Sequence, residues 1–551
     1  MRRRALPYWL IVPALAFELL VHVIPMLIGT AISFFRLNEF YFRNWLEAPY
    51  AATAVVRLCG HLPLAIRIVG SNLALRPQHG LAGVATQLSD EGNLLRKLQA
   101  GDVNVRASFV LSYRHLDEPA ARMFRLSGMI PGPSFTAEVA AALAGTTVHA
   151  AGKLLESLLD ANLLEEPTAP GRYRFHDLLR LYARERAHHE ESQDERGCAV
   201  RRLLQWYVDT AYAANELVKP ARRRVGKTGE PTLEPAPFDR REGALAWLDA
   251  ELPNLVAATQ QAAHYGFDDL VWRFPDALAS FFIIRKHYVN WRQTCELGIA
   301  AADRLGDRQA LACVLNVLGI ADRYLRRFAE ARENFERSRT LFAEQGDHQG
   351  AVHALIHLGS AYYREENPKQ ALPLLREALK RAVKYREPYL EGHALQYLGL
   401  VRAELGNTGK AVEAFERSLT LHRELDDQHR ECQALNNLGE RYRVQGRLDE
   451  ALARFGESAT IASKLGSRRE EAEALHHAGL VYGNKRYFGT AIEYLRESLR
   501  LRREIEDHHD DAQVLGALGF MLERYGRHEE ARECHREAQR VQGNGHVRGG
   551  E

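Results

Sequence analysis

The sequence predicts a mostly α-helical protein whose C-terminal half is a solenoid of repeated helix pairs. The evidence is a 40-residue register of glycines, at Gly319, Gly359, Gly399, Gly439, Gly479 and Gly519. An alanine follows each glycine by twelve residues, and a large apolar residue follows the alanine by four in five of the six copies. One helix pair cannot bury its apolar face alone, so this register requires stacked repeats.

The bulk composition is that of an ordinary globular protein. Of the 551 residues, 46% are hydrophobic and 26% charged, and the formal net charge is +2. This balance provides neither the basic field of a nucleic-acid-binding protein nor the acidic excess of a disordered one. The six cysteines are scattered, without metal-binding spacing, and are expected to be reduced and mostly buried thiols.

The N-terminal segment, residues 1–50, predicts a hydrophobic helix that inserts into a membrane. Ala5–Phe35 is almost wholly apolar, although Glu18, His22 and Pro25 interrupt it. A bilayer core needs about 20 apolar residues in a helix, and this run is longer. A buried core helix is the alternative. The basic start at Met1–Arg4 predicts a cytoplasmic N-terminus, and a single span would then place the rest of the chain outside the cell.

A winged-helix domain is predicted for residues 102–192. Helical patterns are followed by two strand-like stretches, Leu163–Glu166 and Arg172–Phe175, around a turn rich in Pro and Gly. The candidate recognition helix, Thr147–Ala161, has one lysine against two acidic residues, and the wing carries two glutamates. Because phosphate contact needs a basic footprint, direct DNA binding is not expected.

A helical connector, residues 193–266, is predicted to join this domain to the repeats. It contains a basic, Pro-rich linker at Lys219–Phe238. Ala221–Thr228 loosely matches a phosphate-binding loop, but that loop requires a strand before it and a helix after it. A helical pattern precedes this stretch and prolines follow it, so we interpret it as a surface linker.

Six repeats are predicted at 307–545, preceded by a degenerate capping repeat at 267–306 and followed by a disordered tail at 546–551. Gly306, Gly346 and Gly466 are expected to end helices, since glycine suits the left-handed position there. The pattern Leu-Gly-x2-Tyr followed by Ala-x3-Phe resembles the tetratricopeptide repeat. That resemblance implies a superhelix whose concave face binds proteins or peptides.

The predicted concave face carries neutral hydrogen-bonding side chains with a few arginines and tyrosines. Amides and imidazoles can bond an extended peptide backbone, and arginine can pair with a carboxylate. A solvated face without a ligand is the alternative. The candidate peptide-groove residues are Asn316, Arg323, His353, His357, Tyr363, His393, Gln396, Tyr397, Gln433, Asn436, Asn437, Arg443, His476 and His477.

No catalytic or metal site is predicted. His353 and His357 stand four residues apart on a helix, as metal ligands can, but no third ligand is evident. We expect both to be exposed helix histidines. No serine, cysteine or carboxylate arrangement suggests catalysis, so the protein is not expected to be an enzyme.

From about Val55 to Arg540 the sequence resembles NB-ARC regulators, the STAND-type switches. Cys59–Ile66 is similar to the Gly-x-Pro-Leu-Ala motif, and Val105–Tyr113, Phe175–Leu179 and Ala246–Glu251 strengthen the match. With the repeats, they resemble the back half of bacterial regulators of the Streptomyces antibiotic regulatory protein type. In that family the proline of the first motif lies against ADP or ATP and the histidine of the second senses its phosphates, which implies these roles for Pro63 and His176.

Residues 51–101 are interpreted as a remnant of the NB-ARC helical region. Upstream of residue 51 the sequence departs from that family. A phosphate loop and Walker B strand are missing, so no cofactor is expected. Residues 1–50 instead resemble the opening segment of a sugar ABC-transporter permease, through Pro7–Pro13 and Ile32–Phe35. The chain is expected to be a permease-like start joined near Tyr50 to a truncated regulator, by fusion or by gene-model error.

The leading hypothesis is a non-catalytic regulator that binds protein or peptide partners through the concave face of its solenoid. One alternative is a membrane-tethered repeat scaffold, and another is an ADP- or ATP-binding switch linked to transcription regulation. The regulator half is expected in the cytoplasm, with membrane association if residues 5–35 insert.

Overall fold

A computed structural model describes residues 48–58, 80–89, 99–100, 103–104, 113–114, 116–161, 163–166, 171–219, 225, 236–504 and 511–547. The predicted membrane helix and most of the 51–101 region lie outside these ranges. Within them, no helix is both long and apolar enough to cross a bilayer. The membrane segment therefore stays a prediction.

Helices dominate the described residues, as predicted. In the N-terminal half they are α1 (Ala48–Leu58), α2 (Gly80–Ser89), α3 (Glu118–Ser127), α4 (Ala137–Ala144), α5 (Val148–Asp160), α6 (Asp177–Glu190), α7 (Gln193–Val218) and α8 (Arg241–His264). The short strands are β1 (Gln99–Ala100), β2 (Val103–Asn104), β3 (Phe135–Thr136) and β4 (Arg172–Tyr173). Two compact units result, one built on residues up to 207 with 252–265, the other on 208–219, 237–251 and 266 onward.

The first unit contains the predicted winged helix. Strand β3 pairs antiparallel with β4, and Glu165 and Arg174 exchange two backbone hydrogen bonds of 2.9 and 2.8 Å that close the wing. Thr147 caps α5 by accepting a hydrogen bond from the Ala150 amide. Phe124 of α3 is fully buried, and its ring centroid lies 5.6 Å from that of Phe175, which precedes α6.

The second unit holds the repeats. After α9 (Asp268–Val271), α10 (Arg273–Arg285) and α11 (Tyr288–Leu305), six helix pairs follow among the described residues. The pairs are α12 (Arg308–Tyr324) with α13 (Phe328–Glu344), α14 (His348–Arg364) with α15 (Pro368–Lys384), α16 (Pro388–Glu404) with α17 (Thr408–Glu424), α18 (Gln428–Val444) with α19 (Leu448–Lys464), α20 (Arg468–Asn484) with α21 (Phe488–Glu504), and α22 (Asp511–Tyr525) with α23 (His528–Val547). We call the members of each pair its first and second helix.

Tight turns join these helices. Gly306, Gly346 and Gly466 adopt φ of 65°, 71° and 63°, the left-handed conformation expected at a helix C-terminus. At equivalent turns Arg326 and Glu366 adopt φ of 61° and 60° without being glycines. The turn therefore recurs even where the sequence lacks its usual glycine signal.

The repeat glycines allow the two helices of a pair to approach closely. A Cβ atom on Gly319 would lie 2.6 Å from the Phe335 ring, and one on Gly439 would lie 2.7 Å from the Phe455 ring. Both rings are fully buried. The spacing of glycine and aromatic residue along the sequence thus reflects direct contact between first and second helices.

A buried serine ties the two helices of four pairs together. Its hydroxyl donates to a carbonyl oxygen of the first helix, 26 residues earlier in the sequence. The bonds run from Ser338 to Ala312 (2.6 Å), Ser418 to Gly392 (2.9 Å), Ser458 to Cys432 (3.2 Å) and Ser498 to Ala472 (2.6 Å). This 40-residue periodicity of serines was not recognised in the sequence.

Candidate peptide-binding face

The first helices of successive pairs pack against one another in the second unit, whereas the second helices are farther apart. The array therefore curves with its first helices on the inner side, which we call the concave face. Every candidate groove residue predicted from the sequence lies on a first helix.

The concave face is more buried than predicted. The candidates that are buried are Asn316, Arg323, His357, His393, Gln396, Asn436 and His476, and those that are half-buried are His353, Tyr363, Tyr397, Gln433, Asn437, Arg443 and His477. Adjacent first helices shield one another in this curved array. Whether these residues bind a ligand stays a prediction.

A histidine cluster lies where α12, α14 and α16 meet. The Asn316 amide nitrogen is 3.2 Å from His353 Nδ1, and His353 Nε2 is 3.3 Å from His357 Nε2. The ring centroid of His393 lies 5.4 Å from that of His357. The expectation that His353 and His357 are exposed is wrong, because α12 and α16 pack on either side of α14.

Burial favours the neutral form of two histidines in this cluster. Burial lowers the pKa of His357 and of His393 well below the usual value, and the charges of Arg430 and Lys219 act in the same direction. Among the described residues, no group of three or more His, Cys, Asp or Glu side chains is arranged to hold a metal ion. Neutral imidazoles remain available as hydrogen-bonding groups.

An amide-rich cluster continues along α16 and α18. The Gln396 amide donates to Gln433 at 3.0 Å, and Arg430 donates to Gln396 at 3.2 Å. Arg430 also donates to the Tyr389 hydroxyl, at 3.2 Å, while its guanidinium carbon lies 5.1 Å from the Tyr389 ring centroid. Gln433 is 3.1 Å from a ring nitrogen of His429. These contacts link the polar side chains of neighbouring repeats.

Asn436 and its neighbours on α18 complete the face. Asn436 is 2% exposed, yet neither its amide nitrogen nor its amide oxygen has a hydrogen-bond partner among the described residues. Two turns later, Arg443 pairs with Glu440 at 2.7 Å, and His477 from α20 lies 3.4 Å from Glu440. Burial would raise the pKa of Glu440, but hydrogen bonds from Arg443 and His477 lower it to about 2.

Four polar residues of this face were missed in the sequence. Tyr389, His429 and Arg430 precede their repeat glycines by nine or ten residues, about one turn before the first predicted groove residue of each helix, and Glu440 directly follows Gly439. For Tyr389, His429 and Arg430 the only signal was a polar side chain near the start of a first helix. That signal is weak because a solvated helix start has the same composition.

The two candidates for nucleotide contact cannot be compared in space. Pro63 lies outside the described residues. His176 is the residue before α6, and its Nδ1 is buried without a hydrogen-bond partner among the described residues. Their proposed roles therefore rest on resemblance alone.

Comparisons with known families identify both parts of the described chain. Residues 131–195 match the MalT winged helix domain, and residues 310–383, 390–464 and 470–542 match the tetratricopeptide repeat. These matches agree with the predicted winged helix and repeat solenoid.

Among curated proteins, the chain is similar to two proteins called regulatory protein AfsR. It is 34% identical over 383 residues to that of Streptomyces coelicolor and 36% identical over 377 residues to that of Streptomyces griseus. Each alignment covers 68% of this chain and 38% of the relative, so the chain spans well under half of their length. The resemblance to regulators of the Streptomyces antibiotic regulatory protein type is confirmed.

Two solved structures are also similar. A STAND protein with a tetratricopeptide repeat sensor from Pyrococcus horikoshii aligns with a TM-score of 0.41 and 14% identity, covering 88% of this chain and 73% of that one. A Rap protein complexed with competence and sporulation factor aligns with a TM-score of 0.43 and 13% identity, covering 63% of this chain and 98% of that one.

Proposed function

We propose that this chain, a relative of the Streptomyces antibiotic regulatory proteins with a winged helix and tetratricopeptide repeats, is a non-catalytic regulator that binds a peptide or protein segment on its concave face. The proposal places the regulator half in the cytoplasm. Its curated relatives are described as regulatory proteins, which agrees with the prediction that it is not an enzyme. The side chains of the concave face donate and accept hydrogen bonds, and such groups are suited to binding a ligand.

The observation that carries the proposal is the unpaired amide of Asn436. Burying an amide without a hydrogen bond costs on the order of 1–3 kcal/mol. An amide buried with both atoms unpaired is therefore expected to form its hydrogen bonds with a bound ligand. An extended peptide presents alternating N–H and C=O groups that match one amide oxygen and one amide nitrogen. Asn437, half-buried beside it on the same face, adds a second such group.

Neither alternative function is favoured by a contact in the described residues. A nucleotide switch needs Pro63, which is not among them. A tethered scaffold needs the membrane segment, which also lies outside them.

The winged helix carries Glu165 paired with Arg174 on its wing, a neutral pair that gives DNA phosphates no net attraction.

Peptides selected against the full chain from a randomised display library test the proposal. The double variant Asn436→Ala, Asn437→Ala should weaken binding of the selected peptides by about 2 kcal/mol or more, as expected for a hot-spot pair. Arg443 is left unchanged because an acidic residue in its place would repel the neighbouring Glu440 carboxylate. Isothermal titration calorimetry on the purified variants measures the change.

Asn484→Ala is the matched control, since Asn484 is exposed at the end of the next first helix. It should bind the peptides as the parent does. Equal affinity of the double variant and the parent, with circular dichroism showing both folded, would place the binding surface elsewhere.

A further inference from the structure

Arg323 is a buried cation of the concave face that forms no ion pair with a carboxylate among the described residues. Its side chain lies at the end of α12 and is 7% exposed. Its guanidinium carbon lies 4.7 Å from the Tyr324 ring centroid, and its Nε has no hydrogen-bond partner in the described part of the chain. The aromatic ring offsets only part of the cost of removing this charge from water.

Other arginines on the same face are neutralised. Arg430, which is 6% exposed, lies 3.6 Å from a carboxylate oxygen of Asp427, and Arg443 lies 2.7 Å from one of Glu440. Buried charges in proteins are paired as a rule, since an isolated one loses its hydration without compensation. Arg323 departs from the pattern of its own face and so marks a place for an anion.

The surroundings of Arg323 are aromatic and cationic. Tyr324 stacks on Tyr288 at a centroid distance of 5.1 Å, and Tyr397 of α16 interacts electrostatically with the arginine. Burial would raise the pKa of Tyr397, but the charges of Arg323, Arg364 and Arg430 lower it. A positive potential therefore extends over this part of the concave face and attracts an anionic group.

We propose that Arg323 binds a carboxylate of the peptide ligand, either its C-terminus or an Asp or Glu side chain. The inference rests on the proposed function and specifies the class of peptide that the face accepts. One guanidinium can pair in a bidentate manner with one carboxylate, and the product is neutral. The neighbouring buried arginine, Arg430, is paired with Asp427, so it does not offer a second free charge to the ligand.

Two heptapeptide libraries test the inference on the full chain. One has free C-termini and contains Asp and Glu, and the other is amidated at the C-terminus and lacks both residues. Binders should be enriched from the first library only, and replacing the carboxylate of each binder by an amide should weaken its affinity at least tenfold. Arg323→Gln should abolish this preference for acid over amide.

Two further variants separate charge from folding. Arg323→Lys keeps the charge without the bidentate geometry and should retain a reduced preference for the acid. Arg524→Gln is the matched control, because Arg524 is an exposed cation at the end of α22, the first helix of the last pair, and it should leave the preference unchanged.

The outcomes distinguish the two proposals. Tight binders from the amidated library that still depend on Asn436 would overturn the carboxylate inference and leave peptide binding intact. Phosphopeptides that bind where the matching carboxylate peptides do not would also overturn it. Failure of both libraries to yield any binder sensitive to Asn436 would count against the proposed function itself.

Discussion

At the scale of single residues, the contact of Gly439 with Phe455 sets how closely two helices can pack. The glycine lies inside α18, where it costs helix stability relative to alanine, yet a Cβ there would stand 2.7 Å from the buried ring. A Cβ added at Gly456, in the second helix of the same pair, would meet no atom within 4 Å. A side chain is therefore excluded at the first glycine and accommodated at the second.

Gly439→Ala should destabilise the repeats by about 1–3 kcal/mol, because the added methyl group forces the Phe455 ring or the helices to move. Gly456→Ala should instead stabilise them by up to about 1 kcal/mol through helix propensity. Urea denaturation followed by circular dichroism measures both. The two variants are expected to change the stability in opposite directions. Destabilisation by both would show that the close approach is not specific to Gly439.

The register of glycines and aromatic residues could be read from the sequence because similar contacts recur at one spacing along the repeats. The burial of His357 could not be read in that way. Histidine is compatible with a solvated helix face, and only the packing of α12 and α16 against α14 decides its exposure. Arg430 and Tyr389 were missed for the same reason, since their contact joins residues of two different repeats.

At the scale of elements, α3 is held in the winged-helix unit by a buried ion network. The guanidinium of Arg125, which is 3% exposed, donates to Glu191 at 2.7 Å, to Glu190 at 2.8 Å and to Glu118 at 2.6 Å. It also donates to the Tyr113 hydroxyl at 2.7 Å. The winged helix itself was predictable from its turn and strand pattern, whereas this network was not, because Arg125 and Glu191 are 66 residues apart.

Arg125→Met should destabilise the winged-helix unit by about 3 kcal/mol, since it leaves the Glu191 carboxylate, 3% exposed, with only the partly exposed Arg122, 3.3 Å away, as counter-charge. Arg174→Met is the control in the same unit. The Arg174 and Glu165 side chains are both about half exposed, and their loss should change stability by less than about 1 kcal/mol. Hydrogen exchange of the α3 amides reports the difference, and similar exchange in both variants would contradict it.

At the scale of the whole molecule, the repeat unit contains several buried histidines whose neutral form is favoured. Burial lowers the pKa of His357, His393 and His429, and it lowers that of His422 to about 4 with help from Arg430. An unfolded histidine titrates near 6.5. The folded unit therefore binds fewer protons than the unfolded chain below about pH 6.5, which links its stability to pH.

The direction in which stability changes with pH follows from the lowered pKa values of these histidines. A histidine whose folded pKa lies below its unfolded pKa contributes its full stability above about pH 6.5 and loses it as the pH falls toward the folded value. For His422, between about 6.5 and about 4, this amounts to a few kcal/mol. Glu440, with a pKa lowered to about 2, adds to the loss only below about pH 4.5.

The free energy of unfolding of the repeat unit should accordingly fall between pH 7.5 and pH 4.5, and His422→Leu should reduce the slope. Leucine fills much of the space of the fully buried ring beside Gly392 and cannot take up a proton. His528→Leu, at an exposed position at the start of α23, is the control and should keep the parent slope. Urea midpoints at four pH values across this range measure the effect. A His422→Leu slope equal to that of the parent would assign the pH dependence to the other histidines whose pKa is lowered by burial, His357, His393 and His429.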